Sequence, residues 1–470
     1  MIFTKKVRRL FGLPAAVVCV LFLQQNIVNA DYPCDIYENA GTPCVAAYST
    51  VRLLSSKYEG PLYQVRRKSD GETKDIGMLP SGYANSEEQD TFLDGGAGTI
   101  SKLYDQSGKG NDLTVAKKGC YQGTASQDDN ESDANGRKLK AGGHDVYALY
   151  MKALDGYRSN QEGYSGYPAV AAPGNGMPTG NEDQGIYMVC DGKRYGTACC
   201  WDFGNASTDN CHGSTGQMNT LFFGTAYWGK GAGSGPWFMN DMEAGVWAGG
   251  SKPGDPGYGK IGSVGPPNQD NPSTSQWDFA FGITKTSTEN NQPKYCLRMG
   301  NAQTGDLTTA FDGNAPTTWH TEGGITLGVG GDNSNSSFGT FFEGCITAGR
   351  PSDEADEAVF ENVQAAGYGS DKVAAFQRIN KSFAAESRHN VRYNPFATNA
   401  MIAYTLQKAS RVRMKIYDQQ GKQVANINVG RQKAGLHEVV WSTKHRASGV
   451  YVTRIFLDNN PGWTQKIIVR

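Results

Sequence analysis

Two apolar segments, Gly185-Ile-Tyr-Met-Val-Cys190 and Gly324-Ile-Thr-Leu-Gly-Val329, decide the fold of the larger part of this chain. They are two of many short apolar or aromatic runs between positions 31 and 368. These runs alternate with clusters of Gly, Asn, Asp, Ser and Pro, the residues that favour turns. Short strands joined by long loops are typical of a β-sandwich or barrel, so the sequence predicts an all-β fold for 31–368.

A loop and a helix refine this prediction. The run Tyr104-Asp-Gln-Ser-Gly-Lys-Gly-Asn-Asp-Leu113 is typical of a turn between strands, and it resembles a loop common in concanavalin-like sandwiches. Near the end of the region Ser352 can cap a helix, acidic residues follow it, and Val359, Phe360 and Val363 have helical spacing. We therefore expect a concanavalin-like β-sandwich that ends with one helix.

Composition limits the classes of function. With 470 residues the chain can form two or three domains, and a formal net charge of -1 gives no strong field to attract nucleic acid or anionic lipid. Gly contributes 60 residues and aromatic residues 11%. This composition suits a turn-rich β protein whose surface stacks on sugars, and it predicts neither a nucleic-acid partner nor membrane attachment through charge.

The first thirty residues predict a signal peptide. Four basic residues precede an apolar run from Leu13 to Leu23, which is too short to span a bilayer, and Val28-Asn29-Ala30 has cleavage-site chemistry. A membrane anchor is the alternative, but Gln24 and Gln25 interrupt the apolar run. We expect a secreted, extracellular protein with no membrane span in the mature chain.

The C-terminal part, from position 369 on, has a different residue pattern. We interpret 369–395 as a linker with a helical turn near 373–383. Within 396–470, Val412, Met414 and Ile416 alternate with basic residues, which predicts a strand with one wet face and a small immunoglobulin-like sandwich. Its motifs, including Ala447-Ser-Gly-Val-Tyr451, resemble the C-terminal sorting domains of type IX secretion. That resemblance implies contact with secretion machinery and attachment at the cell surface; a passive β-module is the alternative.

Nine cysteines follow position 30, so at least one is unpaired. Cys34 and Cys44 flank a short turn and can form a local disulfide. For the adjacent pair Cys199 and Cys200 three interpretations remain open at this point: a disulfide between neighbours, two separate cysteines, or a metal cluster with Cys211 and His212.

Two segments carry candidate chemistry. Trp237, Met239, Asp241 and Glu243 lie two residues apart, so one strand would place both carboxylates on one face beside aromatic rings. A solvated face is the ordinary explanation; a sugar cleft explains both the carboxylates and the aromatic residues.

The second segment is Gly330-Gly-Asp-Asn-Ser-Asn335, which follows an apolar run. Its glycines permit close approach of a ligand, Asp332 would lie at a strand end, and Asn333 and Asn335 could offer amides to sugar hydroxyls. An ordinary Asx-rich turn is the alternative.

At this level of detail the stretch 31–368 resembles the catalytic domain of the α-L-arabinofuranosidase B family, glycoside hydrolase family 54. The resemblance is carried, in one order along the chain, by Pro33-Cys-Asp-Ile-Tyr-Glu38, Gly41-Thr-Pro-Cys-Val-Ala-Ala47, Leu62-Tyr-Gln-Val65, Tyr104-Asp-Gln-Ser-Gly108, Ala198-Cys-Cys-Trp-Asp-Phe-Gly-Asn205, Gly235-Pro-Trp237, Asp241-Met-Glu243, Gly330-Gly-Asp-Asn-Ser-Asn335 and Pro351-Ser-Asp353.

The resemblance implies a role for each matching residue. Glu243 would be the nucleophile and Asp332 the general acid/base. The sugar subsite would be lined by Trp228, Asp241 and the Gly331 backbone, with the Cys199–Cys200 disulfide as part of its floor and Cys34–Cys44 as a second bridge. It also implies a retaining, exo-acting α-L-arabinofuranosidase that acts on arabinoxylan or arabinan without metal or cofactor.

This chain departs from the family pattern at three places. Ala244 stands where the family has Asn, Phe92-Leu-Asp94 lacks the cysteine of a second local disulfide, and the linker and small sandwich replace an arabinose-binding β-trefoil. Two other functions are therefore kept as alternatives: a carbohydrate-binding surface protein without turnover, and a glycosidase that prefers xylosides or galactofuranosides.

Overall fold

The computed structural model describes residues 32–120, 127–159, 173–211, 215–225, 229–243, 245–249, 267–371, 391–393, 399–406, 409–420, 422–433, 435–443, 446–458 and 460–469. The predicted signal peptide at 1–30 and the helical turn predicted near 373–383 lie outside these ranges. Within them, no helix combines the length and the apolar character that a membrane crossing requires.

The described part of 32–371 is built mainly from strands. Its three helices are α1 (Pro33–Asn39), α2 (Ser86–Leu93) and α3 (Asp353–Ala365). The strands, in chain order, are β1 (Cys44–Ser49), β2 (Tyr63–Arg67), β3 (Thr73–Ile76), β4 (Gly98–Leu103), β5 (Leu113–Val115), β6 (Ser132–Asp133), β7 (Lys138–Ala141), β8 (His144–Tyr147), β9 (Leu149–Met151), β10 (Tyr157–Arg158), β11 (Gln184–Asp191), β12 (Asp202–Ala206), β13 (Asn219–Gly224), β14 (Trp237–Asp241), β15 (Val246–Trp247), β16 (Phe279–Glu289), β17 (Gln292–Asn301), β18 (Thr308–Asn314), β19 (Gly324–Leu327) and β20 (Gly339–Ala348).

The ladders between these strands are antiparallel and run in two series. In one, β1 pairs with β20, β20 with β11, β11 with β16, β16 with β17, and β17 with β18. In the other, β10 and β12 flank β19, and β12 leads through β13 and β14 to β15. The ring centroids of Phe203 on β12 and Phe341 on β20 are 5.4 Å apart, so the two series pack face to face. The predicted all-β sandwich is therefore confirmed.

The segment that begins at Gly185 forms the centre of the sandwich. Every residue of β11 is buried, because the strand has hydrogen-bonded neighbours on both edges and packed layers on both faces. The segment that begins at Gly324 forms β19, which is also fully buried. Continuous apolar runs rather than alternating ones are what such doubly covered strands require.

Helix α3 begins and is capped as the sequence predicts. The Ser352 side chain accepts a hydrogen bond from the backbone N–H of Ala355, at 3.2 Å. Val359, Phe360 and Val363 are buried against the sheet. The buried guanidinium and ammonium groups of Arg298 and Lys285 contact the first turn of the helix and hold it on β16 and β17.

The C-terminal part forms a second, smaller β unit. Its strands are β21 (Val391–Tyr393), β22 (Asn399–Leu406), β23 (Ser410–Tyr417), β24 (Gln423–Gln432), β25 (Gly435–Ser442), β26 (Gly449–Leu457) and β27 (Asn460–Val469). One sheet has the order β21-β22-β25 and the other β24-β23-β26-β27. On β23, Val412, Met414 and Ile416 are buried in the core between the sheets, as the alternation predicts. Strand β21 lies within the stretch that the sequence suggested was a linker.

Candidate active site

Strand β14 brings the first acidic residues into place, but it ends earlier than the spacing suggests. Asp241 is its last residue, and Glu243 lies in the turn to β15 with a left-handed φ of 57°. The Asp241 carboxylate accepts a hydrogen bond from the Glu243 backbone N–H, at 2.8 Å. The prediction that both carboxylates project from one strand face was wrong, because this turn redirects the chain after Asp241. Both side chains are nevertheless almost fully buried.

The second acidic residue lies in the loop 330–335, called here the Asp332 loop. The loop closes on itself, since the Gly330 N–H donates to the Ser334 carbonyl at 2.9 Å. The Ser334 N–H donates to the Asp332 carboxylate, also at 2.9 Å. Asn333 has a φ of 65°, a left-handed conformation that Asn tolerates better than most residues. The loop is therefore an Asx-type turn, but a buried one: Asp332 is 7% exposed.

Gly331 is where these two segments meet. A Cβ built on Gly331 would stand 2.6 Å from Glu243 Oε2 and 2.8 Å from the sulfur of Met218. The Gly331 N–H also donates to that sulfur, at 3.1 Å. Glu243 thus lies against the backbone of the residue that precedes Asp332, although 89 positions separate the two acids in the sequence.

The surroundings of Asp241 and Asp202 disfavour negative charge on these two side chains. Burial, followed by the nearby charges of Glu243 and Asp332, raises the pKa of Asp241 well above its usual range. Asp202, on β12, is completely buried, and burial followed by the charge of Asp241 raises its pKa in the same way. Four buried acidic side chains, Asp202, Asp241, Glu243 and Asp332, therefore lie close enough to interact electrostatically, and in a low-dielectric environment such interactions are stronger than in water.

Cys199 and Cys200 form a disulfide and are joined by a cis peptide bond. The Cys200 sulfur lies 3.8 Å from the Asp241 carboxylate, and the Cys199 sulfur lies 3.6 Å from the Ser334 hydroxyl. The Ser336 N–H donates to the Cys199 carbonyl at 3.1 Å. The disulfide therefore contacts both β14 and the Asp332 loop.

Trp237 is a buried residue near the disulfide. It packs with Met239, Cys200 and Phe222 in a small buried cluster, and its indole N–H donates to the Ala232 carbonyl at 2.8 Å. Trp247 is buried in the main core. Both rings are therefore packed in apolar clusters, and neither forms an exposed aromatic surface. Trp228 and Ala244, which the sequence also singled out, lie outside the described residues.

The sequence suggested that Asn333 and Asn335 offer their amides to sugar hydroxyls, and in the structure each amide donates a hydrogen bond to Asp129. Both side chains are buried, and both amide nitrogens donate to Oδ1 of Asp129, at 2.9 and 2.6 Å. On the other side of the loop the guanidinium of Arg158 donates to the carbonyls of Gly330 and Gly331, at 2.9 and 2.8 Å. Sequence reasoning missed Asp129 and Arg158, because nothing in their local sequence distinguishes them from surface charges.

The remaining cysteines are also assigned. The structure contains the disulfide Cys34–Cys44 and a further one, Cys120–Cys211, that the sequence left undecided. Cys190, Cys296 and Cys345 are buried thiols. The metal cluster of Cys199, Cys200, Cys211 and His212 is excluded, since all three sulfurs are in disulfides; His212 lies outside the described residues. In the part of the chain that the structure describes, both groupings of side chains with metal-ligand spacing include such bonded sulfurs.

Most of this chain is similar to known proteins. Residues 33–369 match the family model "Alpha-L-arabinofuranosidase B, catalytic", and residues 396–454 match a "FlgD Ig-like domain" model. A probable alpha-L-arabinofuranosidase B from Aspergillus fumigatus is 40% identical over 346 residues, covering 72% of this chain and 62% of the relative. An arabinofuranosidase/B-xylosidase from Trichoderma koningii is 40% identical over 343 residues, covering 72% and 63%.

A solved structure is similar over more of the chain. It is an arabinofuranosidase complexed with arabinofuranosyl-alpha-1,2-xylobiose, with a TM-score of 0.64 and 30% identity, covering 92% of this chain and 82% of that one. The two Aspergillus and Trichoderma relatives are longer than the matched region, and this chain spans less than two thirds of their length.

Proposed function

Since the chain belongs to the α-L-arabinofuranosidase B family, we propose that it is an exo-acting glycoside hydrolase that releases terminal α-L-arabinofuranosyl groups from polysaccharide side chains. One observation carries the proposal: the Glu243 carboxylate lies against Gly331, next to the second acid of the site, Asp332. A pair of neighbouring carboxyl groups is what glycoside hydrolysis requires.

The proposed mechanism is a double displacement with retention. Ionised Glu243 attacks the anomeric carbon while protonated Asp332 gives its proton to the leaving oxygen, so the glycosidic bond breaks as a glycosyl-enzyme ester forms. Water then attacks the same carbon, Asp332 takes the proton from water, and Glu243 leaves as a carboxylate. Retention requires the two carboxyl groups to be about 5–5.5 Å apart.

Asp241 and the disulfide would bind the sugar in this proposal. The apolar surface of Cys199 and Cys200 suits the C–H face of a furanose ring, while the raised pKa of Asp241 suits a neutral carboxyl group that donates a hydrogen bond to a hydroxyl. The backbone of Gly331 and, outside the described residues, Trp228 complete the proposed subsite. No metal or cofactor takes part in these steps.

Arabinoxylan and arabinan are the proposed substrates. Support for arabinoxylan comes from the similar structure whose ligand is arabinofuranosyl-alpha-1,2-xylobiose. A preference for xylosides is the second candidate, because one relative carries the name arabinofuranosidase/B-xylosidase. Ala244 stands where the family pattern has Asn, and this sequence difference is the reason to test for a xyloside preference.

A panel of 4-nitrophenyl glycosides tests the proposal. We expect the full-length protein to hydrolyse α-L-arabinofuranoside at least tenfold faster, in kcat/KM, than β-D-xyloside or β-D-galactofuranoside. We also expect Glu243→Gln to lose turnover by at least about a thousandfold while its thermal unfolding is unchanged. Binding without release by the wild-type protein would favour a carbohydrate-binding protein, and near-normal release by Glu243→Gln would reject the assigned nucleophile.

The location and the C-terminal unit are part of the proposal. The basic, apolar and small-residue pattern of residues 1–30 supports export, and secretion then explains the disulfides. For 396–470, the family comparison supports an Ig-like domain. Its further role as a type IX sorting or surface-attachment domain rests on the sequence motifs alone. Secretion of a reporter fused to 396–470, with and without the terminal strand, is the direct test.

A further inference from the structure

We propose that Asp129 is a positioning residue for Asp332: it holds the Asp332 loop by its two asparagines, and so fixes where the proton donor stands. This inference rests on the proposed function, in which Asp332 is the general acid/base. Asp129 itself would touch neither the substrate nor the reacting atoms.

The contacts of Asp129 are concentrated on one oxygen. Oδ1 accepts from the amides of Asn333 and Asn335, at 2.9 and 2.6 Å, and these residues lie 204 and 206 positions further along the chain. The two asparagines are positions +1 and +3 from Asp332. A single acceptor that binds both defines the path of the backbone immediately after the acid.

The other oxygen is packed rather than hydrogen-bonded. Among the described residues Asp129 Oδ2 has no hydrogen-bond partner, and it lies against the backbone of Gly156, where any Cβ would clash with it. Val329, the residue before the loop, packs at the same point. The absence of a Cβ at Gly156 therefore gives Asp129 the room to approach the loop.

Arg158 holds the opposite side of the loop. Its guanidinium, which is completely buried, donates to the carbonyls of Gly330 and Gly331 and to the amide oxygen of Asn210, the last at 2.7 Å. The loop is thus bound by its carbonyls before Asp332 and by its side-chain amides after it. Asp332 is the residue between the two points of attachment.

Attachment on both sides of Asp332 is needed because the conformation of the loop is disfavoured in an isolated chain. Asn333 has a positive φ, which an isolated chain adopts only a minor part of the time. Holding its side chain selects that conformation in advance, so the proton donor needs no rearrangement when substrate binds. Preorganisation of this kind lowers the barrier of the chemical step rather than the affinity for the sugar.

The protonation state of Asp129 is consistent with this role. Burial raises its pKa to about 7, against hydrogen bonds from Asn335 and Asn333 and the charge of Arg158, which lower it, while Asp155 raises it further. At mildly acidic pH the group is therefore mostly neutral. It can accept two hydrogen bonds beside Asp332 without adding a negative charge there.

The test compares the hydrolysis of two substrates, which differ in their leaving groups, by three variants of the protein. Asp129→Ala removes the shared acceptor, Asp129→Asn keeps an oxygen in the place of Oδ1, and Asp128→Ala is the matched control, because Asp128 is the neighbouring acid and forms an exposed ion pair with Lys117. Methyl arabinofuranoside needs protonation of its leaving oxygen, whereas 4-nitrophenyl arabinofuranoside releases a stable phenolate and needs little.

For Asp129→Ala we expect kcat/KM on the methyl glycoside to fall about 100-fold, within the range that general acid catalysis contributes, and at most about fivefold on the 4-nitrophenyl glycoside. Added azide should raise its turnover of the 4-nitrophenyl substrate and yield arabinofuranosyl azide, because azide attacks the glycosyl-enzyme without a general base. Asp129→Asn and Asp128→Ala should stay within a few-fold of wild type on both substrates.

Equal losses on both substrates, with no effect of azide, would overturn the inference and assign Asp129 a structural role. If Asp129→Ala does not yield folded protein, Asn335→Ala, which removes the donor at 2.6 Å, carries the same comparison and the same two outcomes. Failure of the proposed function is distinguishable, since the wild-type protein would then hydrolyse neither arabinofuranoside.

Discussion

Glu243 Oε2 lies 2.6 Å from the position that a Cβ would occupy on Gly331. The backbone of Gly331 does not have a positive φ, so a glycine is required at this position by space and not by conformation. Two residues 88 positions apart thus meet with no room for a methyl group between them. This close approach places the proposed nucleophile beside the proposed acid.

Gly331→Ala should therefore damage catalysis without damaging the fold. The new methyl group would push the Glu243 carboxylate and the Met218 sulfur aside, and a displacement of about 1 Å can cost about 100-fold in rate. We expect kcat on 4-nitrophenyl α-L-arabinofuranoside to fall about 100-fold and the melting temperature to change little. Gly77→Ala is the control for a glycine substitution as such, because Gly77 has open space around it and no positive φ. Normal kcat in Gly331→Ala would contradict the contact.

Asp129 should make the protein less stable as pH rises. Its pKa is about 7 in the folded state and 3.8 in an unperturbed carboxyl group, so between these values the folded state retains a proton that the unfolded state has lost. Stability from this site is therefore fully present below about pH 4 and declines up to about pH 7. The full difference corresponds to about 4 kcal/mol.

Asp129→Asn removes this titration, so the comparison with wild type isolates it. Urea unfolding at several pH values between 4 and 8 measures the difference in free energy of unfolding. We expect the free energy of unfolding of the wild type to fall relative to that of the variant as pH rises. Asp155, whose pKa is raised to about 6 mainly by burial, remains in both proteins and largely cancels. A difference that does not vary with pH would show that Asp129 is not protonated in the folded state at low pH.

The disulfides should differ in their contribution to stability. Cys120–Cys211 closes a separation of 91 residues and Cys34–Cys44 one of 10, so the chain-entropy model gives the longer loop about 2 kcal/mol more. We expect the double variant Cys120→Ala/Cys211→Ala to unfold at lower urea concentration than Cys34→Ala/Cys44→Ala. Equal midpoints would indicate that native-state packing, rather than loop closure, determines the effect.

Lys285 should be important for stability and not for turnover. Its buried ammonium group donates to the carboxylates of Asp353 and Asp356, at 2.6 and 2.7 Å, and Asp356 is completely buried. Lys285→Met would remove the nearest compensating cation from that buried carboxylate and lower stability by about 3–5 kcal/mol. We expect normal kcat in the protein that remains folded, because the ion pairs hold helix α3 and do not contact the acids of the site.

The matched control for Lys285→Met is Lys193→Met. Lys193 pairs with Asp278 at 2.6 Å, but both side chains are more than half exposed. Solvent screens that pair, so its loss should change stability by about 0–1 kcal/mol. Similar destabilisation by the two variants in thermal melts would contradict the dependence on burial.

The sequence by itself determined the local structure. Continuous apolar runs predicted buried strands, the alternation at Val412, Met414 and Ile416 predicted a half-buried strand, and Ser352 predicted the start of helix α3; all are present. These predictions succeed because strand periodicity and helix capping depend on neighbours within a few positions. Resemblance to a family, carried by short motifs, also pointed to Glu243 and Asp332.

Only the tertiary structure decided how those motifs meet. It placed Glu243 in a turn after β14, packed Trp237 in a buried cluster with Cys200, and paired the amides of Asn333 and Asn335 with Asp129. The physical reason is distance along the chain. Hydrogen bonds between residues about 200 positions apart leave no local pattern, because their partners are chosen by the packing of sheets and not by sequence spacing.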